Sequence, residues 1–194
     1  AGPFLCGAKV ETYDLHPENN FLIEFDKIPE EQARRAKMMI VSYPLNPVCV
    51  TAPDSFYEEL IAFAKKYNII ILHDNAYSDI IYGGKVGKSF LSFEGARDVG
   101  VEFYSLSKSY NYTGARMSFV VGNQAVIDKF KNVRSQIDYG IFLPVQYGAI
   151  AALTGPQDAV KAQCEEYDRR NHALSEGLTS IGWKVPLSQG TMFS

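Results

Sequence analysis

The sequence has no apolar run close to the ~20 residues that a membrane-crossing helix requires. Nor is it basic. Its 19 lysines and arginines stand against 22 aspartates and glutamates, a formal charge of −3, and the cations are scattered along the chain. That balance gives no support for a nucleic-acid-binding surface. The three cysteines, Cys6, Cys49 and Cys164, are odd in number and far apart. Such spacing encodes neither a disulfide framework nor a metal site, so no metal ligands are expected, and reduced thiols in a cytoplasmic protein are the expected state. Internal repeats and low-complexity segments are also missing. No methionine and no signal-peptide pattern opens the chain at Ala1-Gly2-Pro3, and Thr191-Met192-Phe193-Ser194 reads as the middle of a strand. The 194 residues are therefore expected to be an internal piece of a longer chain.

What is present is the patterning of an α/β protein. A strand is expected at Lys9 to Tyr13, and His16-Pro17-Glu18-Asn19-Asn20 is turn chemistry. Pro29-Glu30-Glu31 opens a short helix through about Met38, with acids in its first turn and Arg34, Arg35 and Lys37 toward its end. Met38 to Tyr43 is a continuous apolar run, which predicts a strand buried on both faces. A helix follows, with Ser55 to Glu58 as a capping box or Thr51 to Asp54 as an earlier cap. Phe56, Leu60, Phe63, Ala64 and Tyr67 mark one face of that helix, and Asn68 ends it. Ile69 to Leu72 is a second buried strand, which makes the unit a right-handed parallel crossover.

Strands at Val101–Tyr104 and Met117–Val121 extend the sheet, and helices are expected over 124–139, 144–153 and 158–180. The last should carry Val160, Cys164, Tyr167, Ala173 and Leu174 on or near its buried face. Gly182 to Val185 reads as the first strand of a second, smaller domain. The expected architecture is a mostly parallel sheet with helices on both faces. Residues 1–157 belong to one large domain, and 158–194 to a connecting helix and the start of a small α+β domain.

The stretch Val101 to Asn123, VEFYSLSKSYNYTGARMSFVVGN, carries the chemistry. A lysine in a serine-rich turn between buried strands must be paired, neutralised or converted, for instance to an imine with an aldehyde cofactor. Around Lys108, Ser105, Ser107 and Arg116 offer two hydroxyls and a planar fork of donors, which is what a phosphate needs. In an open α/β sheet, ligands sit beyond the carboxyl ends of the strands. Asn46, Asp74 and the Ser105–Lys108 turn follow three such strands, so three polar clusters converge on one crevice.

Ser105-Leu106-Ser107-Lys108 with Arg116 eight residues on resembles the cofactor-lysine segment of the class I/II pyridoxal-phosphate aminotransferases, of fold type I. Asn46-Pro47, then Asp74-Asn75-Ala76-Tyr77, Lys108 and Arg116 occur in that family's order across essentially the whole chain. The resemblance implies pyridoxal 5′-phosphate as cofactor, with Lys108 as its Schiff-base lysine and general base. It implies Asp74 as partner of the pyridine nitrogen, and Tyr77 and Asn46 as donors to the phenolic oxygen. Ser105, Ser107 and Arg116 would hold the phosphate.

Each residue also has a plainer reading. Lys108 could be a solvated surface lysine, Asp74 a helix cap, Asn46 a turn residue and Arg116 a structural ion pair, with Ser107 satisfying backbone groups. His73, next to Asp74, should point to the opposite face as a core histidine. Two departures from the family pattern stand out. Val48-Cys49 replaces the usual Thr-Gly after Asn46-Pro47, where cysteine is a poor match for positive φ, and Ala115 and Ser118 replace a tryptophan and a glycine around Arg116.

The expected activity is transfer of an amino group between an amino acid and a 2-oxo acid, most like the alanine, aspartate and diaminopimelate-type members. A carbon–sulfur β-lyase or related synthase on the same fold, or a non-catalytic piece, are the alternatives. The family works as a homodimer on small-molecule substrates, so a homodimer without nucleic-acid or membrane partners is the corresponding expectation.

Overall fold

The computed structural model describes residues 2–194; Ala1 lies outside them. In chain order the elements are α1 (Gly2–Leu5), α2 (Glu30–Arg35), β1 (Met38–Ser42), α3 (Asp54–Tyr67), β2 (Ile70–Asp74) and α4 (Ala96–Val99). There follow β3 (Gly100–Ser105), α5 (Leu106–Ser109), β4 (Ser118–Gly122), α6 (Gln124–Arg134), α7 (Leu143–Thr154) and α8 (Asp158–Ser180). The sheet order is β1-β2-β3-β4. β1, β2 and β3 pair in parallel, and β4 closes the edge antiparallel to β3. This is the expected α/β class with a mostly parallel sheet.

The core lies between the sheet and α3. Phe56, Tyr57, Leu60, Ile61 and Ala64 recur at helical spacing on the buried side of α3. They pack on Met39, Val41 and Ile71 of the strands and on Phe90 and Ala96 of the β2–β3 connection. Asn68, left-handed at φ 54°, stops α3 by donating its backbone N–H to Ala64 O. The next residues then enter β2, where Ile70 N donates to Lys37 O and begins the pairing with β1.

Several expectations are corrected. Lys9 to Tyr13 forms no strand; its Tyr13 hydroxyl donates to Ile40 O, but no backbone ladder joins it to β1. α2 ends at Arg35 rather than near Met38, because Ala36 turns extended and Lys37 is drawn into the sheet. α3 starts at Asp54 with Pro53 before it and no side-chain cap, so neither proposed capping sequence operates. α6 stops at Arg134, where i to i+3 turns at Gln136 and Ile137 and a two-oxygen Arg134–Asp138 pairing replace helical continuation. Residues 182–185 form no strand either: Gly182 is left-handed at φ 94°, and the nearby C-terminal tail meets another segment through an isolated bridge between Ile81 and Gly190.

β1 is not buried on both faces. Its burial alternates, with Met39 and Val41 in the core and Met38 and Ile40 exposed, and Ile70 of β2 is exposed on that same side. An all-apolar strand reads as two-sided whether or not a second layer covers it in the residues at hand. On α8 the buried positions are Asn171 and Ser175, while Cys164 and Tyr167 pack on the Tyr77, Ile80 and Tyr82 cluster and Leu174 is exposed. The 164, 167, 171, 175 spacing is helical, but half of that stripe is polar. Its polar members serve the C-terminal tail: Asn171 bonds Ser188 through both backbone groups, and Ser175 Oγ donates to Val185 O. No helix of the described residues is long and apolar enough to cross a membrane.

Candidate active site

The carboxyl ends of β1, β2 and β3 lie side by side. Ser42 is in register with Asp74, and Asp74 with Phe103. Because β4 runs back along β3 with Ser105 opposite Ser118, the segment leading into β4 returns to the same edge and brings Arg116 there. Asp74, the Ser105–Lys108 turn and Arg116 are thus collected by strand register alone.

Asp74 is the last residue of β2 and is exposed. Its main chain is fixed by Ser42 Oγ, which donates to Asp74 O at 3.1 Å. Its carboxylate accepts from Ala76 N at 3.3 Å, a turn closed on itself in which Oδ1 orients the acid. His73, one residue earlier, faces the opposite side of the sheet as expected and is fully buried.

The lysine turn is built by Ser105. Its Oγ accepts from Ser107 N at 3.2 Å and caps α5, which therefore starts at once after the strand and lifts Lys108 out of the sheet plane. Two contacts tie the turn to its surroundings: Thr113 Oγ1 donates to Ser107 O at 2.8 Å, and Leu106 N donates to Met117 O at 3.2 Å. From α8, Gln163 Nε2 donates to Lys108 O at 2.9 Å. Gln163 was not legible as a site residue, because nothing in the spacing of a charged helix marks the one glutamine that meets the turn. Ser109, buried beside Lys108, has a hydroxyl with no partner among the described residues.

Asn46 and Tyr77 meet directly. Asn46 Nδ2 donates to the Tyr77 hydroxyl at 3.3 Å. Burial pushes the Tyr77 hydroxyl above its ordinary range; the Asn46 amide works against this and the Asp74 charge adds to it. Tyr77 therefore stays protonated, and since Asn46 supplies a proton to its oxygen, its own proton is free for another acceptor. The loop carrying Asn46 keeps a left-handed residue at Cys49, φ 61°, where the family has glycine. Cysteine is held there by its surroundings: Cys49 Sγ donates to Pro47 O at 3.0 Å and accepts from Thr191 Oγ1 at 3.1 Å.

Among the described residues, neither Lys108 nor Arg116 has a carboxylate within ion-pair distance, and Asp74 has no cation. Arg116 donates only to Thr113 O, at 3.1 Å, which leaves most of its fork unused. An edge with an amine, a guanidinium and serine hydroxyls on one side and a single free acid on another matches an anionic aldehyde with a protonated ring nitrogen. Pyridoxal phosphate fits that donor set.

The family model for Aminotransferase class I and II matches residues 4–194, and the chain belongs to that family. It is 47% identical over 189 residues to the LL-diaminopimelate aminotransferase of Halothermothrix orenii, covering 97% of this chain and 49% of that protein. It is 40% identical over 192 residues to the glutamate-pyruvate aminotransferase AlaC of Escherichia coli, covering 99% of this chain and 47% of that protein. Substrate-bound BacF of Bacillus subtilis superposes with a TM-score of 0.95 at 34% identity, over 98% of this chain and 49% of that one. The chain spans about half the length of the curated relatives it matches.

Proposed function

We propose that the protein to which this chain belongs is a pyridoxal-phosphate aminotransferase that moves an amino group between an amino acid and a 2-oxo acid. The observation that carries the reading is the gathering of unpaired Asp74, Lys108 and Arg116 at one sheet edge by strand register. The cofactor, when bound, supplies an electron-accepting ring conjugated to the substrate nitrogen.

The following roles fall to side chains of this chain. Lys108 is the amine that holds the cofactor and, once free, moves a proton at the substrate Cα. Asp74, an acceptor only, keeps a proton on the ring nitrogen opposite it. Tyr77 donates its free proton to the ring's phenolic oxygen, and Asn46 orients Tyr77 and donates beside it. Arg116 with Ser105 and Ser107 binds the phosphate.

The relatives' names, an LL-diaminopimelate and a glutamate-pyruvate aminotransferase, favour small amino-acid and 2-oxo-acid substrates. A homodimer agrees with the apolar side chains left exposed around α6 and α7, among them Val133, Ile137, Phe142, Tyr147 and Ile150. We place the boundary of the large domain at residue 157 and the protein in the cytoplasm; three unpaired cysteines agree with that compartment.

The test uses the full-length protein loaded with cofactor and mixed with an amino acid in the absence of any 2-oxo acid. Stoichiometric 2-oxo acid and retention of the amino group on the cofactor are expected. Release of pyruvate and ammonia instead would make it a lyase and overturn the reading.

A further inference from the structure

Beneath the site lies a buried polar cluster that none of the proposed roles uses. Glu102 of β3 is fully buried, in register with His73 of β2. Its Oε1 accepts from His73 Nδ1 at 3.3 Å and from the side-chain amide of Asn75. Oε2 accepts from Ser89 Oγ at 2.5 Å and from Leu91 N at 3.3 Å. Four donors surround one carboxylate, and no lysine or arginine pairs with it among the described residues. The titratable groups around it are His73 of β2, Tyr57 of α3 and Tyr104 of β3.

Burying a carboxylate costs more than burying an apolar side chain of the same size, so such a group adds little stability by itself. What it does add is position. Its two strand-side donors, His73 and Asn75, are the residues on either side of Asp74. Asn75 is also held through its backbone, where its N–H donates to Phe103 O at 2.9 Å. The opposite carboxylate oxygen is anchored on Ser89 and Leu91, in the segment that leads back into β3.

Resting on the reading of Asp74 given above, we propose that Glu102 is a positioning residue: it clamps His73 and Asn75 and thereby sets where the Asp74 carboxylate stands. Asp74 points to the other face of the sheet and is exposed, with no ion-pair partner among the described residues to steady it, so its placement depends on the backbone that carries it. Glutamine at 102 would turn one of the two acceptor oxygens into an N–H₂ donor, set against either the Asn75 amide on one side or the Leu91 N–H on the other, and so loosen the clamp.

The test uses the full-length protein and pyridoxal phosphate. Cofactor dissociation constants and the pH midpoint of the bound cofactor's visible band are measured for wild type, Glu102→Gln, Ser89→Ala and Asp74→Asn, with thermal midpoints alongside. Glu102→Gln is expected to weaken cofactor binding about tenfold and to shift the band's midpoint in the same direction as Asp74→Asn. Ser89→Ala, which removes one anchor on the carboxylate oxygen opposite His73 and Asn75, is expected to give a smaller shift of the same sign and keeps the test open should Glu102→Gln fail to fold. A fall in thermal midpoint with affinity and band unchanged in both cluster variants, while Asp74→Asn shifts the band, would make the cluster merely structural and overturn the proposal alone. An unchanged band in Asp74→Asn would overturn the role of Asp74 and the proposal with it.

Discussion

The side-chain amide of Asn46 donates to the hydroxyl of Tyr77 at 3.3 Å, joining the turn after β1 to the turn after β2. A hydroxyl that already accepts one proton is left with its own proton to give. Tyr77→Phe keeps the ring that packs with Ile80 and Tyr82 and removes only that donor. The full-length protein carrying this change is expected to bind pyridoxal phosphate about tenfold more weakly, since a hydrogen bond to a charged group contributes about 1.5–3 kcal/mol. A titration with unchanged affinity would remove Tyr77 from the site.

Arg116 separates ligand binding from stability. It is exposed and has no acidic partner among the described residues, so its charge contributes little to the fold. Arg116→Gln is expected to leave the thermal midpoint unchanged and to weaken cofactor binding by about ten- to a hundredfold. A lowered midpoint with unaltered affinity would mark Arg116 as structural.

Cys49 carries backbone strain where the family has glycine. Its φ of 61° costs a residue with a Cβ about 1 kcal/mol. Its Sγ contacts with Pro47 O and Thr191 Oγ1 offset that cost in the native chain. Cys49→Ala keeps the strain and loses the contacts, whereas Cys49→Gly loses both. Denaturant unfolding should therefore rank glycine above alanine by about 1 kcal/mol. The reverse order would show that the loop is not held left-handed.

High pH should unfold the protein through its buried tyrosines. Burial pushes the hydroxyls of Tyr13 and Tyr104 up from 10.0 to about 12. The fold thus favours the neutral phenol, and this contribution is complete below pH 10, where the unfolded chain is also neutral. It is lost as pH climbs from there through 12, because only the unfolded chain ionises readily. Denaturation midpoints measured across that interval should fall, and fall less steeply in Tyr13→Phe.

Much of this was legible in the sequence, and the exceptions have a common cause. The strands before Asn46, Asp74 and Ser105 show as apolar runs, and the long helix starting at Asp158 shows in full, because each is specified by its own residues. Lys9–Tyr13 and Gly182–Val185 have strand-like composition, but a strand needs a neighbour, and sequence alone does not say which segments find one. The exposed Met38 and Ile40 reflect the same gap. At the site, the residues proposed to meet the cofactor carry a motif. Gln163, which braces the lysine turn, and Glu102, which grips the flanks of Asp74, do not. Glu102 had one visible sign, a charge inside the apolar run VEFY, and its meaning depended on donors brought from Ser89 and Asn75.

The most direct test of the central assignment is to reduce the cofactor-loaded full-length protein with borohydride and map the modified peptide by mass spectrometry. The cofactor's mass is expected on Lys108, and its visible band is expected to be missing in Lys108→Ala. Label on another lysine, such as Lys85 or Lys161, or a band that survives in Lys108→Ala, would contradict it.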